Sequence, residues 1–208
     1  MSAAPTPSAR MSAPDRRAQL LDIALNLFSE KGFDGATTKE IAARAGVNEA
    51  IIFRHFPTKQ ALYQAVLEFK FACPELDNWL AEARASMDRN DDLRLFRAIA
   101  AAIIESYSGD PRLERVMLFA ALEGNSQALE HYRSFSLPLF ELLRDYITRR
   151  QREGALAGYD PGAILSAIAG MAQRYAMYTR MFGFRTEYSD REAAGLFTDI
   201  LMNGIKAR

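Results

Sequence analysis

Between Thr37 and Lys59 the chain reads TTKEIAARAGVNEAIIFRHFPTK, and its polar side chains suit hydrogen bonding to nucleic acid rather than bond-making chemistry. Arginine fits the O6 and N7 acceptors of guanine in a bidentate contact, asparagine fits adenine, and glutamate accepts from cytosine N4. Small apolar side chains meet the thymine methyl. Asn48, Glu49, Ala50, Ile51 and Arg54 are therefore candidates for reading base edges. Ile51 joins them because Val47, Ile52 and Phe56 already supply an inward face; padding of the domain is its alternative role. Thr38, Lys39, His55 and Lys59, with backbone amides at helix starts, are candidates for phosphate oxygens. His55 equally suits a structural bond to backbone.

These side chains need two short helices set across one another. Thr37 is a helix cap, and Glu40, three residues on, can reach back to it in a capping box. Ile41, Ala42 and Ala45 form a narrow apolar stripe, and Gly46 supplies the left-handed residue that stops the helix. Asn48 caps the second helix, with Val47 and Ile52 as a hydrophobic staple that fixes its angle of departure. Two helices joined by such a turn form a helix-turn-helix, whose second helix enters the DNA major groove.

The pattern T-x-x-x-I-A-x-x-A-G-V, then F-x-H-F, then x-x-K-x-x-L resembles the DNA-binding domain of the TetR/AcrR family of bacterial transcription regulators. It is carried here by Thr37, Ile41, Ala42, Ala45, Gly46, Val47, Phe53, His55, Phe56, Lys59 and Leu62, within residues 14 to 68. The resemblance implies that Thr38, Lys39, His55 and Lys59 grip the DNA backbone. Phe53 departs from the family pattern: a tyrosine is usual there, and Phe53 joins the DNA-facing set without a hydroxyl for phosphate. Glu49 turns a negative charge towards an anionic duplex, which lowers affinity for wrong sequences.

With 208 residues and zero formal net charge, the chain is long enough to bury a core without metal or disulfides. Residues 1–60 hold eight Lys/Arg against six Asp/Glu, so DNA affinity must come from a few placed cations and from two copies of the domain. The lone Cys73 excludes an internal disulfide and points to a reducing cytoplasm; an inert core thiol and a redox sensor are its two readings. Residues 1–13, rich in Ala, Pro and Ser, read as a disordered arm without signal-peptide character, in which Arg10 either reaches a neighbouring groove or is solvated.

The expected fold is all-α: a helix-turn-helix domain at 14–60 and a larger helical ligand-binding and dimerisation domain at 61–208, eight or nine helices in total. A rod from Thr58 to Phe71 joins the two, with further helices near 75–87, 91–107 and 111–123. Asp110-Pro111 and Asp160-Pro161 look like cap-plus-proline helix starts. Pro138 is expected to kink or divide a segment from Ser126 to Arg152, and the cationic run Arg144–Arg152 reads as a solvated helix end. The helix near 161–182 is apolar nearly all round and needs covering; the last, Asp190–Ile205, is amphipathic and opens on a Ser189–Glu192 capping box. The resemblance implies that these two helices build a homodimer, which sets the reading helices about 34–36 Å apart.

Regulators of this kind answer to a small molecule. Phe96, Phe119, Met171, Tyr175 and Tyr178 suit an adaptable, largely apolar effector and are also ordinary core residues. Arg174, inside an apolar helix, has three openings: an anionic ligand, a carboxylate such as Glu123, or solvent. No cofactor is expected, and His131 lacks partners at metal-ligand spacing. The chain has no G-x-S-x-G, G-x-x-x-x-G-K-[ST] or H-E-x-x-H, so an enzyme is not expected. The function expected is a ligand-released repressor on a palindromic operator. An activator of the same fold, and less so an interaction module without DNA, are the alternatives.

Overall fold

A computed structural model describes residues 11–71 and 74–205, so the expectations for Arg10, for most of the N-terminal arm and for Cys73 lie outside it. Among the described residues there are ten helices and no strand. The first four are α1 (Ala13–Gly35), α2 (Thr38–Ala45), α3 (Glu49–His55) and α4 (Lys59–Phe71). They are followed by α5 (Pro74–Asp88), α6 (Asp92–Gly109), α7 (Arg112–Leu122), α8 (Ser126–Arg152), α9 (Pro161–Arg180) and α10 (Asp190–Ile205).

Two apolar cores divide the molecule. The first takes Leu20, Leu21, Ala24 and Phe28 of α1, Ile41 of α2, Ile52 of α3, and Leu62, Val66 and Leu67 of α4. Val116 and Ala120 of α7 and Ala128 of α8 complete it. The α4 rod is thus part of the unit that holds α3, and α7 is packed directly on that unit. The second core joins Leu95, Phe96 and Ile99 of α6 to Leu143 and Ile147 of α8, Ile164 and Ile168 of α9, and Leu201 of α10.

Pro138 does not divide its helix: α8 runs from Ser126 to Arg152 with the proline inside. A proline costs the bond to the carbonyl four residues back, here that of Ser134, and Ser134, Leu137 and Pro138 are all exposed, where water can serve that oxygen. Packing of Ala128 in one core and of Leu143 and Ile147 in the other holds the two halves in line.

The cationic end of α8 is not simply solvated. Arg150 grips Asp92 with Nε and Nη2, both at 2.9 Å, and the Tyr146 hydroxyl donates to the same carboxylate at 2.5 Å. The Arg150 and Asp92 side chains are only 14% and 11% exposed. Arg149 adds bonds to Asn90 at 2.8 Å and to the Met87 carbonyl at 3.1 Å, so α8 is bolted to the α5–α6 turn. At α7 the expected cap is also altered: Pro111 occupies the N-cap position, and the Asp110 carboxylate is bound by Arg112 and Lys70. The Arg112 hydrogen bond holds that carboxyl well below the usual range, against the opposing effect of burial. Asp160 and Ser189 cap α9 and α10 as expected.

Removing one partner of a buried, hydrogen-bonded ion pair leaves a charge without compensation. Arg150→Ala should therefore cost about 3 kcal/mol in urea unfolding, with little change in the denaturant slope. A loss below 0.5 kcal/mol, the scale of an exposed pair on a helix, would show that Asp92 is well solvated.

Candidate DNA-binding surface

The turn that aims α3 is built from local bonds. Thr37 Oγ1 accepts from the Glu40 amide at 3.1 Å, and Glu40 Oε2 accepts from the Thr37 amide at 3.2 Å, closing the capping box. Gly46 ends α2 at φ 64, and a β-carbon there would meet nothing within 4 Å, so the backbone angle alone demands glycine. The Val47 amide returns to the Ala42 carbonyl at 3.0 Å, and Asn48 Oδ1 caps α3 by accepting from Ala50 at 2.9 Å. Ile52 and Phe56 are buried, which fixes the inward face of α3.

At about 100° per residue, Ala50 and Arg54 point opposite Ile52. Both are exposed, as are Asn48, Phe53 and Lys39. Ile51, Glu49, Thr38, His55 and Lys59 are half-buried. The structure thus gathers the ten candidates along α2, α3 and the start of α4, but not all are free. The Thr38 hydroxyl donates to the Glu49 carboxylate, which ties the start of α2 to the start of α3. Lys59 Nζ stands 4.3 Å from the centre of the Phe33 ring.

The charge pattern follows from pairing. Lys31 binds Glu40, and Arg44 binds Glu30 with two hydrogen bonds. These bonds draw both carboxyls below their usual range, while the Glu30 partnership holds the Arg44 guanidinium up. Both pairs lace α1 to α2 and consume their charge. Lys39 and Arg54 have no ion pair among the described residues. Sequence reasoning missed Arg17, whose guanidinium lies 5.2 Å from the centre of the Phe56 ring, beside the end of α3. Its separation in sequence from Phe56 left no local pattern to find.

The six effector candidates do not form one site. Phe96 is wholly buried in the second core, and Met171 packs against that core. The Tyr175 hydroxyl donates to Asp190 at 3.0 Å. Arg174 is exposed and lies over the Tyr178 ring, 3.2 Å from its centre, while Tyr178 also packs on Phe182 and Phe184. Phe119 lies against Gly32, where α7 meets α1. Glu123 is not a partner for Arg174, since its carboxylate accepts from the amides of Phe33 and Asp34. An open cleft of about 660 Å³ near the α9–α10 turn is lined by Tyr175, Arg180, Tyr188 and Arg191; of the six candidates it includes Tyr175 alone. A second groove, of about 480 Å³, runs between α4 and α8 past Gln60, Gln64, Gln127 and His131.

Residues 20–66, which hold this capped turn and both its helices, match the family described as bacterial regulatory proteins, tetR family. Over these residues the chain is similar to the tetR family. It is similar to the HTH-type transcriptional regulator RutR of Escherichia coli K12, with 28% identity over 161 residues, covering 77% of this chain and 74% of RutR. The nucleoid occlusion factor SlmA of Aliivibrio fischeri MJ11 is 26% identical over 166 residues, which cover 77% and 81% of the two chains. The solved fatty acid degradation regulator FadR from Bacillus halodurans shares the fold, with a TM-score of 0.70, 17% identity, and coverage of 96% of this chain and all of FadR. The match to the tetR-family model falls on the helix-turn-helix itself, and the likeness to RutR extends over 77% of the chain. Among its described residues, no helix is long and apolar enough to cross a membrane.

Because the capping box serves two amides at the start of α2, Thr37→Ala should lower stability by about 1 kcal/mol. Thermal unfolding would check this, and an unchanged midpoint would mean that packing alone holds α2.

Proposed function

We propose that the protein is a repressor that binds a palindromic operator as a homodimer and leaves it when a small effector binds. The observation that carries the DNA half is an outward face of α3 bearing Arg54, Ala50 and Asn48, opposite buried Ile52. Arg54 and Asn48 read base edges, with Ala50 and Ile51 as apolar contacts. Lys39, His55 and Lys59 hold phosphates, with Thr38 contributing its backbone amide at the start of α2 while its hydroxyl holds Glu49, and Phe53 packs on the DNA backbone. Arg17 adds a cation beside them. Glu49 acts through its bond to Thr38 and by its charge, which disfavours wrong sequences.

The dimer half rests on an unpartnered face. On α9, Ala163, Ser166, Ala167 and Gly170 are exposed at helical spacing, and on α10 Leu196 and Ile200 are 46% and 63% exposed. Small side chains on one helix and branched ones on the next let a second copy approach closely. Closing this face with a twofold partner sets two α3 helices about one DNA turn apart. The functional division is 14–60 for DNA and 61–208 for sensing and dimerisation, with α4 shared between them. A largely apolar effector suits the aromatic and methionine side chains around the second core, among them Phe140, Met171, Met177 and Met181.

Selection of random duplex DNA by the purified protein, repeated across a salt series, tests this reading. A palindrome with half-sites one turn apart and a steep loss of affinity with salt is expected. A winner lacking twofold symmetry, or no winner at low salt, would overturn it.

Arg54→Ala should relax base choice at one operator position by about 1–3 kcal/mol, whereas Lys39→Ala should weaken all sequences alike and lower the salt slope by about one. Titration of matched and mismatched duplexes separates the two roles, and equal losses on every sequence for both variants would contradict them. Ile200→Arg should give a folded monomer by light scattering, with operator affinity reduced accordingly; a dimer that persists would place the interface elsewhere.

A further inference from the structure

The helix that opens the chain is broken at Gly32, with φ 73 and ψ −177, before it resumes to Gly35. In an unbroken helix the Phe33 amide would pair with the Ser29 carbonyl. Here both groups are served from α7 instead. Arg115 Nε donates to the Ser29 carbonyl at 2.8 Å. Glu123, at the end of α7, accepts from the Phe33 amide at 3.0 Å with one carboxylate oxygen and from the Asp34 amide at 3.1 Å with the other. Arg112, at the start of α7, reaches Asp22 at 2.8 Å. Space is as exacting as the bonds: a β-carbon on residue 32 would lie 2.1 Å from Glu123 Oε1 and 3.0 Å from the Phe119 ring. The break in α1 is therefore a socket, and Glu123 fills it.

The socket leads on to the DNA-facing residues. The Phe33 ring, next in the chain, packs edge-on against Tyr63 of α4 with ring centres 5.0 Å apart, and it carries Lys59 Nζ at 4.3 Å. Lys59 is the first residue of α4, and only Phe56, Pro57 and Thr58 separate it from α3.

We propose that Glu123 is a positioning residue for DNA binding: by clamping the amides of Phe33 and Asp34 across Gly32, it sets the place of the Phe33 ring, of Lys59 and so of the recognition helix. This rests on the operator-binding dimer proposed above. It adds a second mechanical route towards α3, which enters through α1 and meets α4 at its N-terminal turns, at Lys59 and Tyr63. Movement of α7 is passed to α1 through a carboxylate that cannot slip, because both oxygens are engaged and glycine leaves no slack.

The test is the operator preference of the full-length dimer. Glu123→Gln keeps the shape but replaces one acceptor oxygen with a donor facing an amide; Glu123→Ala removes both acceptors. Each should bind the wild-type operator roughly tenfold more weakly, within the range that linked sites carry, and should accept a wider spread of half-site spacings in random-duplex selection. Gly32→Ala should give the same spread by expelling Glu123, and the double variant Gly32→Ala, Glu123→Ala should lose little more than either alone, as for one coupled contact. Should Gly32→Ala fail to fold, the two Glu123 variants decide the matter alone. A merely structural contact would lower the unfolding midpoint but leave affinity per folded dimer and half-site spacing unchanged, and that result would overturn the inference while leaving the operator reading intact. Wild-type protein that selects no duplex in the same experiment would overturn both.

Discussion

The recognition helix is only seven residues long, and a helix of that length does not keep its shape in water without support. Its existence and its aim depend on the core beneath it. Ile52 and Phe56 anchor α3 to the apolar residues of α1, α2 and α4, and the capped turn around Gly46 and Asn48 fixes the angle at which it leaves. Whatever moves the core moves the reading head as one piece.

That core does not stop at the helix-turn-helix. Val116, Ala120 and Ala128 enter it from α7 and α8, and the Glu123, Arg115 and Arg112 side chains stitch α7 to the length of α1. On the far side, Lys70 of α4 meets Asp110 just before α7. The helix-turn-helix unit is thus held at two places by helices outside it. In the ligand-released dimer proposed above, a ligand that favours one position of α7 would shift the population of DNA-competent dimers by its difference in affinity for the two states. Roughly 5.5 kcal/mol of difference is needed to carry a two-state equilibrium from 99:1 to 1:99.

The parts legible in sequence were those governed by neighbours three or four residues apart. The Thr37–Glu40 box, Gly46, the Asn48 cap and the Ser189–Glu192 box all appear as read, because cap geometry is local. The all-helical class followed from periodicity. What sequence could not give were contacts across the fold: Arg150 with Asp92, Glu123 with Phe33 and Asp34, and Arg17 with Phe56. Arg150 belongs to a run that looks solvated until another helix is placed beside it. Pro138 shows the opposite failure, where a sound local rule yields to packing at both ends of α8. Aromatic and methionine content could not separate pocket from core, and the structure disperses Phe96, Phe119 and Arg174 to three different surroundings.

The most direct measurement is the distance between spin labels placed at Ala43→Cys, exposed on α2 and outside the assigned DNA contacts, on the two copies, in a Cys73→Ser background, with and without operator. A single narrow distribution that places the two α3 helices one DNA turn apart, roughly 34–36 Å, is expected on the operator. The absence of dipolar coupling, or a distribution that places them far from one turn apart in the bound state, would contradict a twofold dimer that reads DNA through α3.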